Sequence, residues 1–504
     1  MTHDELPLLS KSRFAAGLQC HKRLFLGCYS PELADPLGAG QEAILETGTL
    51  VGELARQRFP DGRLIEEEYY KHDEAVAATR KVIADRSVPA ICEAAFTFDD
   101  IRVRVDILVR RRGGVFDLVE VKSSTGVHGQ HIPDVAIQLH VVEGAGIKIR
   151  RAFLLHIDKD YIYDGGPYDV SRLFQPEEVT KEARSFARTS IPRALAEMRA
   201  PLRHDDPPAV EIGGHCTRPY QCPFYGHCRE GGPVHHIEQL PWASARLLGE
   251  LIEAGIRDIR NIPKGFAGLS ELQRRVRDCV VAGQPHLDPE LSTTLRGVTY
   301  PVQFLDFETF GPALPVYPRT RPYQTIPFQW SLHVRDGNGV LRHQSFLADG
   351  DCDPREGFAA SLLDALGSTG TIVAYSGYEQ TIIRQLAGDL PRLAERLLSL
   401  NERFLDLLEL LRAYYYHPAF HGSYSIKAVL PVLVPGAGYH DLEIRQGGQA
   451  SLAFAQIIAP ETEEKEKERL RGALLAYCQR DTEAMVRVFD ALHQRTLESD
   501  RYVD

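Results

Sequence analysis

The chain has 504 residues, of which 43% are hydrophobic and 25% are charged, and its formal net charge is −11. This composition excludes a mostly disordered chain, a collagen-like repeat and a small disulfide scaffold. At about 150 residues per domain, the length predicts roughly three domains. Because no apolar run reaches the ~18 residues of a bilayer span and the N-terminus lacks a signal-peptide core, we expect a cytoplasmic protein without a membrane partner. In that compartment the nine cysteines should be core residues or metal ligands rather than disulfides.

The residue pattern divides the chain into three regions. Residues 1–232 end in a cysteine cluster, and residues 297–504 open with an apolar strand. Between them, residues 233–296 favour a helical linker domain, with one helix predicted to stop at Gly255. Residues 251–263 of this linker faintly resemble helix-hairpin-helix modules, which bind the DNA backbone.

The acidic total hides basic segments. Residues 6–31, 309–335 and 410–440 contain lysine or arginine but no acid, and the last segment is rich in tyrosine. Such patches suit a groove for a polyanion such as nucleic acid, although each alone could be ordinary surface variation. Their basic residues are Lys11, Arg13, Lys22, Arg23, Arg319, Arg321, Arg335, Arg412 and Lys427.

Residues 101–125 predict a β-hairpin that turns at a Gly-Gly pair. Asp106 lies in its first strand, and Glu120 and Lys122 lie two apart in the second, so the latter pair leaves one face. Together these residues are called the first centre. The carboxylates could hold Mg²⁺ or Mn²⁺, and the lysine could position water and phosphate. The alternative is a solvated hairpin face with an ordinary Glu–Lys pair. A helix with Gln138 and a third strand are predicted next.

This order of elements resembles the PD-(D/E)xK nucleases of the RecB family, which have a restriction-endonuclease-like α/β fold. The resemblance implies that Asp106, Glu120 and Lys122 are catalytic and that Gln138 is an accessory residue. Glu93 is a further candidate.

Two positions depart from the pattern of that family. Gly52 stands where many relatives have a histidine metal ligand, and Val142 stands where relatives often have tyrosine. Both departures bear on how tightly the first centre would hold a metal.

Three cysteines follow one another at equal C-x5-C spacings, namely Cys216, Cys222 and Cys228, and Cys20 lies far upstream. Zinc usually takes tighter pairs, whereas looser spacing with a remote fourth thiolate suits an iron–sulfur cluster. The arrangement resembles the iron–sulfur nucleases of CRISPR adaptation and of recombination helicase-nucleases, which implies one [4Fe–4S] cluster on these four residues. Rival ligands are Cys28 in place of Cys20, and His215 or His227 if the metal is zinc. The cysteines predicted to be buried small hydrophobes are Cys92, Cys279, Cys352 and Cys478.

The last region predicts a second group of carboxylates, called the second centre. Asp306 and Glu308 share one face of an apolar strand, Glu379 lies at a strand-to-helix junction, and Tyr477 and Asp481 are one helical turn apart. The four carboxylates could hold two Mg²⁺ or Mn²⁺ ions for phosphodiester hydrolysis, with the tyrosine orienting the water. The alternatives are a solvated edge strand and an ordinary amphipathic helix end.

These motifs resemble the DEDD exonucleases of the RNase H-like fold, in the subclass with tyrosine in the last motif. That family usually has Asp where this chain has Glu379, and Asp406 is an alternative fourth carboxylate. Residues 414–427 could form an aromatic substrate face or belong to the core. The complete order resembles a bacterial family, itself without an assigned role, that joins an iron–sulfur RecB-like module to an exonuclease-like module.

The sequence therefore predicts a metal-dependent nuclease, with DNA a better substrate than RNA and with single-stranded ends or flaps favoured. One alternative is a nucleic-acid-binding scaffold in which one or both centres are inactive. Another is a redox-sensing regulator that uses the cluster as a switch.

Overall fold

The computed structural model describes residues 6–500, with side chains as far as residue 498. The chain is a mixed α/β protein that forms two compact units. The first unit runs to Gly231 and also contains Pro312–Tyr323, and the second contains Gly232–Gly311 and the chain from Gln324 onward. Within residues 6–500, no helix combines the length and apolarity that crossing a membrane requires.

The first unit contains the predicted hairpin and the helix that follows it. Its strands are β1 (Leu9–Ser10), β2 (Arg63–Leu64), β3 (Ala90–Phe98), β4 (Ile101–Arg110), β5 (Phe116–Lys122), β6 (Ile149–Ile157) and β7 (Phe174–Glu178). Its helices are α1 (Lys11–Gln19), α2 (His21–Tyr29), α3 (Ala39–Arg56), α4 (His72–Ala84), α5 (His131–Gly144), α6 (Val170–Leu173), α7 (Thr180–Thr189), α8 (Ile191–Arg199) and α9 (Tyr225–Arg229).

Among the described residues, these strands form one seven-stranded sheet in the order β2-β3-β4-β5-β6-β7, with β1 paired to β4. β4 and β5 are antiparallel and β5 and β6 are parallel, as expected for a hairpin followed by a helical crossover. Gly113 and Gly114 have φ values of 83° and 75°, which a Gly-Gly turn supplies at little steric cost. The predicted hairpin, the helix with Gln138 and the third strand are confirmed.

The segment Pro312–Tyr323, between the first two strands of the second unit, packs in the first unit. Its backbone exchanges hydrogen bonds with Tyr163, at 2.6 Å for the N–H of Arg319 and 3.0 Å for the carbonyl of Thr320. The Tyr323 hydroxyl donates to the carbonyl of Ser123 at 2.6 Å. The basic side chains of this segment therefore belong to the first unit.

The second unit contains the other predicted centre. Its strands are β8 (His286–Leu287), β9 (Val302–Phe310), β10 (Ile326–Arg335), β11 (Leu341–Leu347), β12 (Thr371–Ala374), β13 (Phe404–Asp406) and β14 (Tyr415–Tyr416). Its helices are α10 (Ala245–Glu253), α11 (Glu271–Ala282), α12 (Glu290–Arg296), α13 (Arg355–Leu366), α14 (Tyr378–Asp389), α15 (Ala394–Leu400), α16 (Leu407–Tyr414), α17 (Ile426–Leu433), α18 (Gly447–Ile458) and α19 (Glu464–Asp500).

Within the described chain, the main sheet of this unit has the order β11-β10-β9-β12-β13. The pairs β11–β10 and β10–β9 are antiparallel, and β9–β12 and β12–β13 are parallel. One face of β9 packs Leu305 and Phe307 into a core with α13, α14 and α15. On the other face, Phe304 contacts Phe489 of α19. Asp306 shares this second face, because strand side chains alternate, and the sheet therefore has helices on both sides.

Candidate functional site

The second centre lies where β9, α14 and α19 meet. Asp306 and Glu308 lie on β9, Glu379 is the second residue of α14, and Asp481 lies within α19. Asp306, Glu379 and Asp481 line a cavity of about 230 Å³. One oxygen each of Asp306 and Glu308 and the sulfur of Cys478 all lie within 4.8 Å of one another. The structure thus brings together the four carboxylates that the sequence proposed.

Burial and mutual repulsion raise the pKa of the carboxyl groups in the second centre. For Asp306 the main cause is burial, followed by the charges of Asp481 and Glu308. Burial raises the pKa of Glu379 to about 8, with the charges of Asp406 and then Asp481 adding to the effect. Burial also raises the pKa of Glu308 and of Asp481. The Oε2 atom of Glu379 is buried without a hydrogen-bond partner. Because a divalent cation would relieve the repulsion and accept these oxygen ligands, the donor set fits Mg²⁺ or Mn²⁺.

Tyr477 belongs to a polar network around Asp481. Its hydroxyl hydrogen-bonds with the Asp481 carboxylate and accepts a hydrogen bond from Nζ of Lys427 at 2.9 Å. The hydroxyl of Tyr439 donates to Oδ1 of Asp481 at 2.5 Å. The Lys427 ammonium also lies over both tyrosine rings, 4.9 and 5.2 Å from their centroids. These contacts fix the Asp481 carboxylate and place a positive charge beside the cavity.

Sequence reasoning missed two members of this centre, Cys478 and Tyr439. The prediction that Cys478 is buried is confirmed, but its Sγ lies 3.4 Å from Oδ2 of Asp306, so it is more than a small hydrophobe. The sequence signal that could have identified Cys478 was its position directly after Tyr477. Tyr439 lies 42 positions before Asp481 and in no motif, so only the packing of the chain reveals it.

Residues named in two other sequence-based predictions have a different role in the structure. Oδ1 of Asp406, the alternative fourth carboxylate, caps α16 by accepting from the backbone N–H groups of Leu408 and Glu409 at 2.9 and 3.1 Å. The aromatic side chains predicted as a substrate face are core residues, at most 5% exposed: Tyr415, Tyr416, Phe420 and Tyr424. The core alternative is therefore confirmed for Tyr415, Tyr416 and Phe420, whereas Tyr424 is buried but also lines a cavity of this unit.

The raised carboxyl pKa values predict how stability depends on pH. The pKa of Glu379 is about 8 in the folded chain, against about 4.3 for an unfolded glutamate. Folding therefore takes up protons between these values, and the metal-free protein should lose stability as the pH rises from about 5 to about 8. Mg²⁺ or Mn²⁺ binds the ionised form, so it should raise the melting temperature more at the higher pH. Thermal melts in EDTA and in Mn²⁺ at both pH values measure this. Equal metal-induced shifts at the two pH values, or a Glu379→Gln variant with the same pH dependence, would contradict it.

The first centre lies on the hairpin of the first unit. Ile107 pairs with Val119, so Asp106 and Glu120 occupy neighbouring register positions on β4 and β5. Both carboxylates, with Lys122, line a cavity of about 430 Å³. Gln138 of α5 donates to Oε2 of Glu120 at 2.7 Å. The structure thus brings these four predicted residues together.

Two further groups complete this cavity. Glu93 lines it, with a φ of 57° that is unfavourable for a residue with a Cβ. Lys11, which the sequence placed only in a basic segment, donates from Nζ to Oε1 of Glu120 at 2.7 Å. Lys11 lies 109 positions before Glu120, and no local pattern joins the two.

The lysines nearly balance the charge of the first centre. Burial alone would raise the pKa of Glu120, but Lys11 and Lys122 outweigh it and hold that pKa below its usual value. Lys122 Nζ lies 2.9 Å from Oε1 of Glu120 and 2.6 Å from Oδ2 of Asp134. Burial and then Glu120 raise the pKa of Asp106 to about 7, and its Oδ2 accepts from the N–H of Val121 at 2.7 Å. Lysine and backbone donors of the protein already pair with the carboxylates of the first centre. A metal ion would therefore relieve less charge repulsion there than in the second centre.

The two departures from the RecB-like pattern lie in different surroundings. Gly52 of α3 lines the cavity of the first centre, so no ligand side chain reaches the cavity from that position. Val142 of α5 is fully buried in the core. Gly52 therefore offers the cavity no side-chain ligand, and Val142 contributes to packing.

The cysteine site joins α1 and α2 to the chain around residues 213–229. Cys20 lies between the two helices. Burial is the main cause that raises the pKa of the Cys222 thiol, and the charges of Cys20 and Cys228 raise it further. Gln19 donates from Nε2 to the carbonyls of His215 and Tyr220 at 2.6 and 2.7 Å. The N-terminal helices are thus fastened to the cysteine-rich segment.

The structure also bears on the rival ligands. Cys28 packs against the hydrophobic core, and burial raises the pKa of its thiol. Nε2 of His215 lies 3.6 Å from Sγ of Cys216. The prediction of a buried Cys352 is wrong, because this cysteine is exposed. Cys92 and Cys279 are buried as predicted.

Comparison with known protein families gives a match to part of this chain. A family model described as "Domain of unknown function (DUF2779)" matches residues 303–425. This segment contains Asp306, Glu308 and Glu379 but neither Tyr477 nor Asp481. No curated protein matches the chain. The similarity marks a segment that includes most of the second centre, and its description names no activity.

Proposed function

We propose that this chain is a metal-dependent nuclease that hydrolyses nucleic-acid phosphodiester bonds at the second centre. The observation that carries the proposal is the convergence of four carboxylates with raised pKa values, three of which line one cavity, together with the unpartnered oxygen of Glu379. Bound Mg²⁺ or Mn²⁺ would neutralise the phosphate and activate a water molecule. Exonucleolytic action on single-stranded DNA ends or flaps is the proposed mode.

The residues of this chain would divide the work at that centre. Asp306, Glu308, Glu379 and Asp481 would hold the cations. Tyr477 would position the attacking water, because its hydroxyl lies against Asp481 and is itself fixed by Lys427. The mixed sheet with helices on both sides supports an RNase H-like fold for the second unit, and the hairpin with its crossover helix supports a restriction-endonuclease-like fold for the first.

One assay tests the proposal directly. The purified chain is incubated with end-labelled single- and double-stranded DNA and RNA, in Mg²⁺, Mn²⁺ or EDTA. We expect shortening of single-stranded DNA that requires the metal and stops in EDTA. Absence of metal-dependent cleavage on every substrate would refute the proposed function, and the comparison of substrates decides between DNA and RNA.

The first centre is proposed as a second hydrolytic centre, with Asp106, Glu120 and Lys122 as its catalytic groups and Asp106 and Glu120 as its metal ligands. The Lys11–Glu120 contact favours a different role for it, namely a nucleic-acid-binding site without hydrolysis, because Lys11 supplies the positive charge that a metal would supply.

A variant series separates these two roles. In an Asp306→Asn background, Lys122→Ala should lower any remaining metal-dependent cleavage by about 10²-fold or more. Lys148→Ala, at an exposed position of the same unit, is the matched control. If the Asp306→Asn protein cleaves no substrate, the first centre is a binding site, and filter binding of labelled DNA should then weaken in the Lys11→Ala variant.

We also propose that Cys20, Cys216, Cys222 and Cys228 hold one [4Fe–4S] cluster. A tetrahedral zinc site would place its sulfurs about 3.8 Å apart, as Zn–S bonds of about 2.3 Å require. Across residues 6–500, no three cysteine or histidine donors lie within 4.8 Å of one another. What supports a cluster, in which each iron takes one thiolate, is the spacing of the cysteines together with the electrostatic effect of Cys20 and Cys228 on the pKa of Cys222.

A further inference from the structure

An exposed tryptophan stands beside the second centre, within the same compact unit. Trp242 is 68% exposed, whereas the other tryptophan, Trp330, is 3% exposed. Its φ of 50° is one that a residue with a Cβ adopts at a cost of about 1–3 kcal/mol. A large apolar ring held in water on a strained backbone gains nothing for folding, which points to a binding role.

The structure holds the backbone around Trp242 from two sides. The buried side chain of Gln273 donates from Nε2 to the carbonyl of Pro241 at 2.8 Å. Gly422, with a φ of 78°, packs so closely that a Cβ there would lie 1.7 Å from the carbonyl oxygen of Gln239. The position of the ring is therefore fixed by packing rather than left to a free loop.

Arg412 lies against one face of this ring. Its guanidinium carbon is 4.7 Å from the ring centroid of Trp242. Its Nε is buried without a hydrogen-bond partner, as is the hydroxyl of Tyr424. Among the described residues, no carboxylate forms a salt bridge with Arg412. The stack thus combines an exposed aromatic face with a positive charge, and two buried polar atoms without partners lie beside it.

These groups line one cavity of about 570 Å³. Four residues of its wall also line the cavity of the second centre: Tyr375, Ser376, Ile426 and Lys427. The tryptophan site therefore adjoins the cavity that the carboxylates line. A polymeric ligand that alternates apolar rings with anionic groups would place one ring on Trp242 and one anion at Arg412. The end of that ligand would then reach the second centre.

We infer that Trp242, Arg412 and Tyr424 form a subsite for one nucleotide of a single-stranded nucleic acid. The inference rests on the proposed function, since it names what the second centre receives. The base stacks on the free face of Trp242, and the phosphate accepts hydrogen bonds from Arg412. A duplex keeps its bases stacked on each other, so the subsite selects single strands.

Tryptophan fluorescence tests the subsite. The full chain with Asp306→Asn and Lys122→Ala, which together remove the proposed hydrolysis at both centres, is titrated with a short oligothymidylate in Mg²⁺. We expect quenching of the Trp242 emission, because Trp330 is buried, and no quenching by an abasic strand of the same length. Equal quenching by the abasic strand would overturn the base-stacking assignment.

Affinity measurements on variants complete the test. Trp242→Ala should weaken binding of the oligothymidylate by about 5- to 150-fold, the usual range for one stacked base, and Trp242→Phe should restore most of it. Arg412→Met should reduce the salt dependence by about 0.7 in log–log slope, the value for one phosphate contact of a single strand. Tyr300→Ala, at another exposed aromatic of this unit, is the matched control.

The outcomes separate this inference from the proposed function. Unchanged affinity in Trp242→Ala, with active hydrolysis in the parent chain, overturns the subsite alone. Stacking-dependent binding by a parent chain that hydrolyses nothing supports the subsite and refutes the nuclease. Equal melting temperatures of the Trp242 variants and the parent would show that the affinity loss is not a folding defect.

Discussion

Asp306→Asn is expected to lower the metal-dependent shortening of single-stranded DNA ends, the activity proposed for the second centre, by roughly 100-fold or more. The substitution removes a charged oxygen ligand from the middle of the second centre while keeping the size of the side chain. In EDTA the same variant should be more stable than the parent, because one of several buried like charges has been removed. A gain of about 1 kcal/mol would raise the melting temperature by about 2–4 °C in a unit of this size. End-labelled single-stranded DNA and thermal melts measure the two effects.

The matched control for this variant is Asp364→Asn. Asp364 lies on α13 of the same unit, and its side chain is 82% exposed, so it should change neither cleavage nor the melting temperature in EDTA. If Asp306→Asn cleaves as fast as the parent, the second centre is not the site of hydrolysis. A variant that is inactive and also less stable in EDTA would instead show that Asp306 is needed for folding.

Cys20→Ser is expected to destroy the cluster and to destabilise the first unit. Cys20 lies between α1 and α2 and the other three cysteines follow the sheet, so the cluster would cross-link the two ends of the unit. Closing a loop of about 200 residues removes unfolded-state entropy worth on the order of 5 kcal/mol in the loop-closure model. Anaerobically purified parent protein should be brown and carry about four irons per chain, and the variant should be colourless and melt earlier. The role of the cluster would then be structural first, with redox sensing second.

Two other serine variants serve as comparisons for Cys20→Ser. Cys352→Ser, at an exposed cysteine of the second unit, should keep colour and iron. Cys28→Ser tests the rival ligand and should also keep both. An intact cluster in Cys20→Ser would refute this ligand set, and colourless anaerobic parent protein with stoichiometric zinc would refute the cluster itself.

Local sequence patterns were enough to predict the individual carboxylates. Asp306 and Glu308 share a face because strand side chains alternate, and Tyr477 and Asp481 share a helical face because they are four positions apart. The hairpin placed Asp106 beside Glu120 for the same reason, since a short turn fixes the pairing register. Each of these relations depends on backbone periodicity over a few residues.

Contacts between residues far apart in the sequence follow from tertiary packing, and no local sequence pattern predicts them. Lys11 reaches Glu120 across 109 positions, and Tyr439 reaches Asp481 across 42. The sequence left the aromatic residues of 414–427 open between a substrate face and the core, because a ring pattern does not reveal which side of an element is covered. The structure shows that Tyr415, Tyr416 and Tyr424 are buried.

The sequence by itself determined the mixed α/β class, the hairpin, the helices and strands that carry the two centres, and the identity of their carboxylates. Only the tertiary structure decided that Lys11 nearly balances the first centre, that the second centre keeps uncompensated charge, and that Trp242 stands beside it. The physical reason is that charge balance and exposure depend on which distant groups meet, and that follows from the packing of the whole unit rather than from neighbours along the chain.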